Sequence, residues 1–269
     1  MKLATVATAA GTLMAALAAV GALYFSNSTL SATNEQLGLA RRTAQTDQIK
    51  AGAEQLDSDK ESVRLSGVYL FERLAEDSEV DRPALRRLLE AFIRTETTTG
   101  PCDLPEHEAP TDIQAALAVI TKYDALPAPT PSVSLEGACL ARANLESANL
   151  TNTNLRSTNL THANLRSANL TNARLLGANL THANLNGANL TNVHLVNVNL
   201  TDAYLGGLNL TDADLAGLNL TNAYLGGANL TNADLTGLNP EYLAGANLTG
   251  IIYSDSTRWP EGFSPPPSA

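Results

Sequence analysis

From Leu135 to Leu235 a leucine falls at every fifth position, 21 in succession. Two residues before each leucine sits a small or modest side chain: Val133, Ala138, Ala143, Ala148, Thr153, Thr158, then Ala163 onward to Ala233. Val193, Val198, Leu208 and Leu218 are the largest residues in that series, and the position just before each leucine is usually Asn. A period of five matches neither the 3.6 of a helix nor the 2 of a strand, so neither element presents these leucines on one face. The pattern is satisfied if each (small, x, Leu) triplet points its first and third residues inward and the chain then turns a corner. Four corners close a square coil of 20 residues, and stacked coils hydrogen-bond at the ~4.8 Å spacing of adjacent strands. Roughly five coils make a rod of ~25 Å. Leu140, Leu145, Leu150, Leu160, Leu170, Leu180, Leu190, Leu200, Leu210, Leu220 and Leu230 then fill its axis. Each contributes about 2 kcal/mol gross, before chain entropy is subtracted. Glycines two residues after the leucine, such as Gly177, Gly207 and Gly227, suit corners that need positive φ.

The phase breaks at Pro240, and Leu243 and Leu248 resume three residues out of step, which predicts a distorted last coil within a repeat spanning 133–250. An open solenoid end exposes leucine and unpaired backbone, so a cap is required over 251–269. Trp259 and Phe263, after Tyr253, are the expected lids, and the tail at Pro265, Pro266 and Pro267 is expected to be disordered.

The N-terminal part follows different periods. Leu3–Phe25 is a stretch of 23 uncharged residues after Lys2, long enough at ~1.5 Å per residue to cross a hydrocarbon core of ~30 Å. It predicts a transmembrane anchor over 1–28 that meets membrane lipid through Leu3–Phe25. The competing reading is a cleaved secretory signal ending near Ser26-Asn27-Ser28, although signal cores are usually shorter. Lys2 on one side and Arg41 and Arg42 on the other leave the orientation undetermined. Asn34–Leu56 reads as a helical stalk. Three one-sided helices follow within 29–125. The first is capped at Asp57-Ser58-Asp59 and carries Val63, Leu65, Val68, Leu70, Phe71 and Leu74. The second is capped at Asp81, with Pro83 in its first turn and Leu85, Leu88, Leu89 and Phe92 beyond. The third is capped at Thr111, with Ile113, Ala116, Leu117 and Ile120. A Pro-rich linker over 126–132 joins this module to the repeat.

The repeat A-(N/D)-L-x-x resembles the pentapeptide-repeat family, and the resemblance implies a right-handed quadrilateral β-helix; it supplies the handedness, the spacing the coil. The run Glu54-Gln55-Leu56 … Asp59-Lys60 … Val63-Arg64-Leu65-Ser66-Gly67-Val68-Tyr69-Leu70-Phe71-Glu72-Arg73-Leu74 … Asp77-Ser78 resembles the juxtamembrane helical module of membrane-anchored members from high-GC bacteria. Pro110-Thr111-Asp112-Ile113-Gln114-Ala115-Ala116-Leu117 resembles a later stretch of that module, and Thr257-Arg258-Trp259-Pro260-Glu261-Gly262-Phe263 resembles the ends of other members. Ser66 departs from the Gly usual in the family. In that family the module follows transmembrane sequence and is thought to be cytoplasmic, which implies a single-pass cell-membrane protein with its soluble part in the cytoplasm. The expected fold class is therefore mainly β: a quadrilateral β-helix preceded by a transmembrane helix and a small α-helical module.

Composition narrows the chemistry. Cys102 and Cys139 are too few for a disulfide scaffold and lack the C-x-x-C spacing of zinc and redox motifs. The net charge of −10 argues against binding nucleic-acid phosphates. Residues 20 apart should stack into outward columns. One column reads Asn144, Asn164, Asn184, Tyr204, Tyr224; another Asn154, Arg174, His194, Asp214, Asp234; a third Arg142, His162, His182, Asp202, Asn222; and a fourth holds Glu146, Arg166 and Asn186, where Glu146–Arg166 is an expected surface pair. His162, His182 and Asp202 have zinc-ligand chemistry, but a straight row of parallel side chains is poor tetrahedral geometry, and polar decoration is the plainer reading. No nucleophile accompanies them, and a convex rod has no cleft to exclude water, so no enzyme and no cofactor are expected. Threonine recurs every ten residues from Thr151 to Thr231, in rows that suit β structure better than an ice lattice, and each Asn-Leu-Thr sequon is a by-product of the repeat.

Charge is polarised along the repeat. Residues 133–189 hold four arginines and two glutamates, whereas 190–250 hold four aspartates, one glutamate and no basic residue. The function expected from these features is a non-enzymatic, membrane-anchored interaction protein with an unknown protein partner. One alternative follows from the resemblance, since some soluble members act on DNA gyrase by imitating duplex DNA; a rod of net charge −3 tied to a bilayer fits that role poorly. Another alternative is a secreted or surface repeat protein after signal cleavage, which an oxidised Cys102–Cys139 pair would favour.

Overall fold

The structure is a computed structural model that describes residues 34–98, 102, 109–122, 133–215, 217–243 and 245–269. The stretch Leu3–Phe25, expected to be an anchor, and the expected linker over 126–132 lie outside the described residues. Among the described residues no helix is long and apolar enough to cross a membrane. The chain divides into two units, Met1–Ala51 and Gly52–Ala269. In the first, residues 34–51 are helical, as the Ala-, Gln- and Glu-rich composition predicts.

The second unit opens with a short helical stretch to residue 56 and three further helices: α1 (Glu61–Asp77), α2 (Arg82–Thr98) and α3 (Thr111–Lys122), which pack against one another. Their inward faces follow the expected spacing. α1 buries Val68, Phe71 and Leu74; α2 buries Leu85, Leu89, Phe92 and Ile93; α3 buries Ile113, Ala116, Leu117 and Ile120. Val63, Leu65, Leu70 and Leu88 are only half-buried at the edges of these stripes. Gly67 lets two backbones approach closely, since a methyl group there would lie 2.9 Å from the Gly52 carbonyl oxygen, and Gly52 leaves room for the Phe71 ring.

Two helix starts differ from the sequence reading. The N-cap of α1 is Lys60, with no side-chain cap hydrogen bond. Ser58 instead accepts the Lys60 amide at 3.3 Å, while its carbonyl takes the Arg64 guanidinium at 3.1 Å. Thr111 lies inside α3 rather than capping it. The Pro110 carbonyl accepts the Gln114 amide at 2.9 Å, and the exposed Thr111 amide donates to Glu61 at 3.0 Å. A carboxylate from α1 thus replaces the local cap, a tertiary solution that helix periodicity does not reveal. At α2 the expectation holds: the Asp81 carbonyl accepts the Ala84 and Leu85 amides at 2.9 and 3.0 Å.

Residues 133–235 wind as the square coil. Parallel bridges join residues 20 apart without interruption, from Ser134–Asn154 to Asp214–Asp234. Most leucine amides donate to the coil above, as in Leu140 to Asn159 at 2.7 Å, and most amides two residues on do the same, as in Arg142 to Thr161 at 2.9 Å. Between them the chain turns with a bond such as Ala143 N–H to Leu140 C=O at 3.1 Å. The third residue of that turn has positive φ, the condition of a type II turn. Glycine fills it at Gly177, Gly187 and Gly207, but Asn152, Ser157, His162, His182 and Asp202 occupy it too, at φ between 54° and 59°. All 21 leucines of the five-residue series from Leu135 to Leu235 are buried, none more than 2% exposed.

The asparagine before the leucine has a job that the period alone does not reveal. On two of the four faces its Oδ1 accepts both the amide and the hydroxyl of the threonine two residues on, as in Thr181 to Asn179 at 3.1 and 2.6 Å. The same pair of bonds recurs at Thr191, Thr201, Thr211, Thr221 and Thr231. Asn-Leu-Thr is therefore a corner brace, in which a short side chain satisfies backbone that the turn leaves unpaired.

At the C-terminal end a 3-10 turn over Pro240–Leu243 inserts the extra residues, and pairing resumes with Tyr224–Asn247 and Asn229–Ile252. The tail expected to be disordered instead lies along the last coil. Ala269 donates its amide to Ile251 at 3.0 Å, and Tyr253 donates its hydroxyl to the Pro266 carbonyl at 2.8 Å. Proline carries no amide and suits an extended segment beside an exposed sheet edge, which explains how so Pro-rich a tail can be held there.

Candidate functional surfaces

The column His162–His182–Asp202 stands at one row of corners, each residue held at positive φ. The two imidazoles stack with centroids 4.7 Å apart and planes 14° from parallel. His182 Nε2 lies 3.9 Å from Asp202 Oδ2, an ion pair only when the imidazole is protonated. Partial burial, then the neighbouring His182 and Arg142, hold His162 below the usual histidine range. Stacked rings aim their nitrogens alongside one another, and among the described residues no three His, Cys, Asp or Glu side chains are grouped so as to hold a metal ion.

The Glu146–Arg166 pair does not form. Glu146 accepts the Asn164 side-chain amide at 3.2 Å, because Asn164 stands on the strand beside that corner and needs no long side chain to be ordered.

The helical module meets the start of the rod through contacts that the sequence reading did not anticipate. Glu90, buried on α2, accepts the Ser134 amide at 3.2 Å and lies 3.4 Å from Arg86 Nε. Burial pushes the Glu90 carboxyl above its ordinary range against the pull of the Ser134 amide and Arg86. Gln114 on α3 brackets Asn144, accepting its amide at 2.9 Å and donating to its carbonyl. Cys102 and Cys139 form a disulfide with Cα atoms 5.5 Å apart, which ties the segment between α2 and α3 to the first coil. The Asn159 side-chain amide donates to Cys102 Sγ at 2.9 Å. Between α3 and the first coil runs a solvent-open groove of about 570 Å³, lined by Glu72, Gln114, Lys122, Asn144 and Glu146 among others. Lys122 there is held by Glu76 at 2.6 Å and Glu72 at 3.0 Å, which stabilise its ammonium form.

At the opposite end Trp259 stacks on Phe263 at 5.6 Å and meets Tyr253 edge-on at 5.3 Å. Thr257 turns inward and donates to the Leu230 carbonyl at 2.8 Å, and Arg258 pairs with Asp234 at 2.8 Å.

Against known families, the model of pentapeptide repeats matches eight copies, over residues 138–175, 158–197, 174–212 and 199–237. The chain is a pentapeptide-repeat protein. Among solved structures, this pentapeptide-repeat protein is similar to HetL of the cyanobacterium Nostoc sp. strain PCC 7120, a protein involved in heterocyst differentiation regulation, at 32% identity over 45% of this chain with a TM-score of 0.36. It spans only 48% of HetL. A pentapeptide-repeat protein of the cyanobacterium Cyanothece 51142 is 31% identical over 47% of this chain and 90% of its own, with a TM-score of 0.32. QnrB1, a plasmid-mediated fluoroquinolone resistance protein, is 18% identical over 46% of this chain and 77% of its own, with a TM-score of 0.24. No curated protein matches the chain.

Proposed function

We propose that this protein is a non-enzymatic, membrane-anchored interaction protein, which offers its repeat rod and helical module to protein partners on the oxidising side of a membrane. The reading rests on how the polar side chains are deployed. Arginine, histidine, aspartate and tyrosine stand in straight outward rows at the coil repeat, so they meet a partner's surface rather than converge on one reacting atom. The anchor is the uncharged Leu3–Phe25 stretch. Crosslinking of the full chain in native membranes, followed by mass spectrometry, tests the partner. A reproducible protein crosslinked to rod or module residues is the expected result, and turnover of a small molecule by the purified protein would overturn it.

The side of the membrane is argued from the cysteines. The resemblance of the helical module implies the cytoplasm, but a cystine between Cys102 and Cys139 belongs to a compartment that keeps thiols oxidised. Closing a loop of 37 residues also contributes about 3–4 kcal/mol by restricting the unfolded chain. Acid-quenched cells treated with a maleimide before and after reduction should label the protein only after reduction. Labelling of both cysteines without reduction would return the soluble part to the cytoplasm.

A further inference from the structure

On three of the four faces, the column at mid-strand carries no charge: Cys139 to Asn219, Asn144 to Tyr224, and Asn149 to Asn229. The fourth differs. Its bridged column runs Ser134, Asn154, Arg174, His194, Asp214, Asp234, Arg258, so charge changes sign about His194. Arg174 and His194 are exposed, and Asp214 and Asp234 are half-buried. Beside this column the corner row carries Arg156, Leu176 and Val196, the last two being partly exposed and larger than the threonine, alanine, glycine or polar residues that stand at most equivalent corners of the other faces.

We infer that this face binds a second copy of the chain, with the two rods antiparallel and a two-fold axis crossing them at His194. The geometry follows from the ladder. Arg174 and Asp214 lie one coil, ~4.8 Å, on either side of His194, so rotation about that level sets each Arg174 opposite the partner's Asp214. The rotation keeps left with left and right with right. Val196 therefore meets the partner's Val196, Leu176 lies beside that contact, and Arg156 approaches the end that carries the partner's Asp234. A parallel arrangement would instead place Arg174 on Arg174 and Asp214 on Asp214, which repels. The face is about five coils long, small for a stable interface, so the dimer belongs to the weak class that assembles reversibly. It stands whether or not the rod also docks a second protein.

The full chain in detergent micelles tests this by sedimentation and by crosslinking. Its native cysteines are paired, so Val196→Cys supplies a lone thiol. A short bis-maleimide should convert this variant to dimer, and should leave Asn184→Cys, on a different face, monomeric. Arg174→Asp should weaken association roughly tenfold or more, because both symmetric pairs become like-charged, and adding Asp214→Arg should restore it. All these positions point outward, and circular dichroism confirms that the rod is intact. Equal crosslinking of both cysteine variants, or a charge swap that fails to restore the dimer, would overturn the inference. So would a chain that sediments as a monomer at high concentration.

Discussion

The helical module and the rod are stabilised in opposite ways. In the module, a few side chains used once hold three helices together. Arg64 donates to Asp112 at 2.6 Å, and Asp112 has no exposed surface; Lys122 bridges from α3 to Glu72 and Glu76 of α1. In the rod, the same leucine contact and the same corner brace are repeated coil after coil, so stability is close to a sum of nearly equal neighbour terms. A module of single-use contacts is brittle as a unit, whereas a stack of repeats yields locally.

The largest effect should come from cutting the rod's axis. Leu185→Ala removes a fully buried side chain where neighbouring coils cannot collapse, at a cost of about 3–4 kcal/mol. Urea unfolding should then show a broadened β transition, and hydrogen exchange should rise mainly in the coils adjoining Leu185. Protection lost equally along the whole rod would break the comparison.

Asp112→Ala comes next. It leaves the Arg64 guanidinium, 15% exposed, without its closest partner, which costs about 3 kcal/mol. Here helical signal should be lost in one step while the rod's amides stay protected. A substitution confined in its effect to the first turn of α3 would mean that the module is not cooperative.

Thr153 sharpens the contrast by stabilising. It points inward where alanine is the rule, and its hydroxyl finds no hydrogen-bond partner among the described residues, whereas the inward hydroxyl of Thr158 donates to Leu135 at 2.9 Å. Thr153→Val keeps the shape and removes the orphan group, so unfolding should require about 1 kcal/mol more. Thr158→Val should be neutral or destabilising.

The smallest effect is pH dependence on the histidine column. The folded pKa of His162 lies below its unfolded value, so its contribution to stability is complete above the unfolded pKa near 6.5 and is lost as pH falls through the folded pKa. Buried Glu90 runs the other way: its carboxyl is raised, and its contribution is lost as pH rises through the folded pKa. The difference between wild type and His162→Asn isolates the first. Thermal unfolding between pH 7 and pH 5 should fall less steeply in the variant, since Asn accepts the same positive φ.

The rod was legible in the sequence to the level of register. Leucines at a strict fifth position have one economical burial, and the three-residue slip after Pro240 reappears as pairing across 23 residues at Tyr224–Asn247. What escaped was the role of threonine, although Asn-Leu-Thr carried the signal: a carboxamide two residues before a threonine at a corner is an Asx brace. The junction was far less legible. Nothing in the spacing of Glu90, Gln114 or Cys102 marks them as partners of Ser134, Asn144 and Cys139, because each pair is 30 to 44 residues apart and occurs once. The tail misled for a related reason, since its composition reads as unstructured until there is a last coil with carbonyls and amides to occupy it.

By itself, the sequence determined the repeating frame: the five-residue step, the inward leucines, the stacking of residues 20 apart and the charge columns that follow from it. Periodic burial is a local rule, applied identically at each step, so it can be read without coordinates. Only the tertiary structure decided the unrepeated contacts: the carboxylate that caps α3, the cystine, the Glu90–Ser134 seam and the tail laid over the final coil. Such contacts depend on which distant segments are brought together, and a chain carries no periodic record of that.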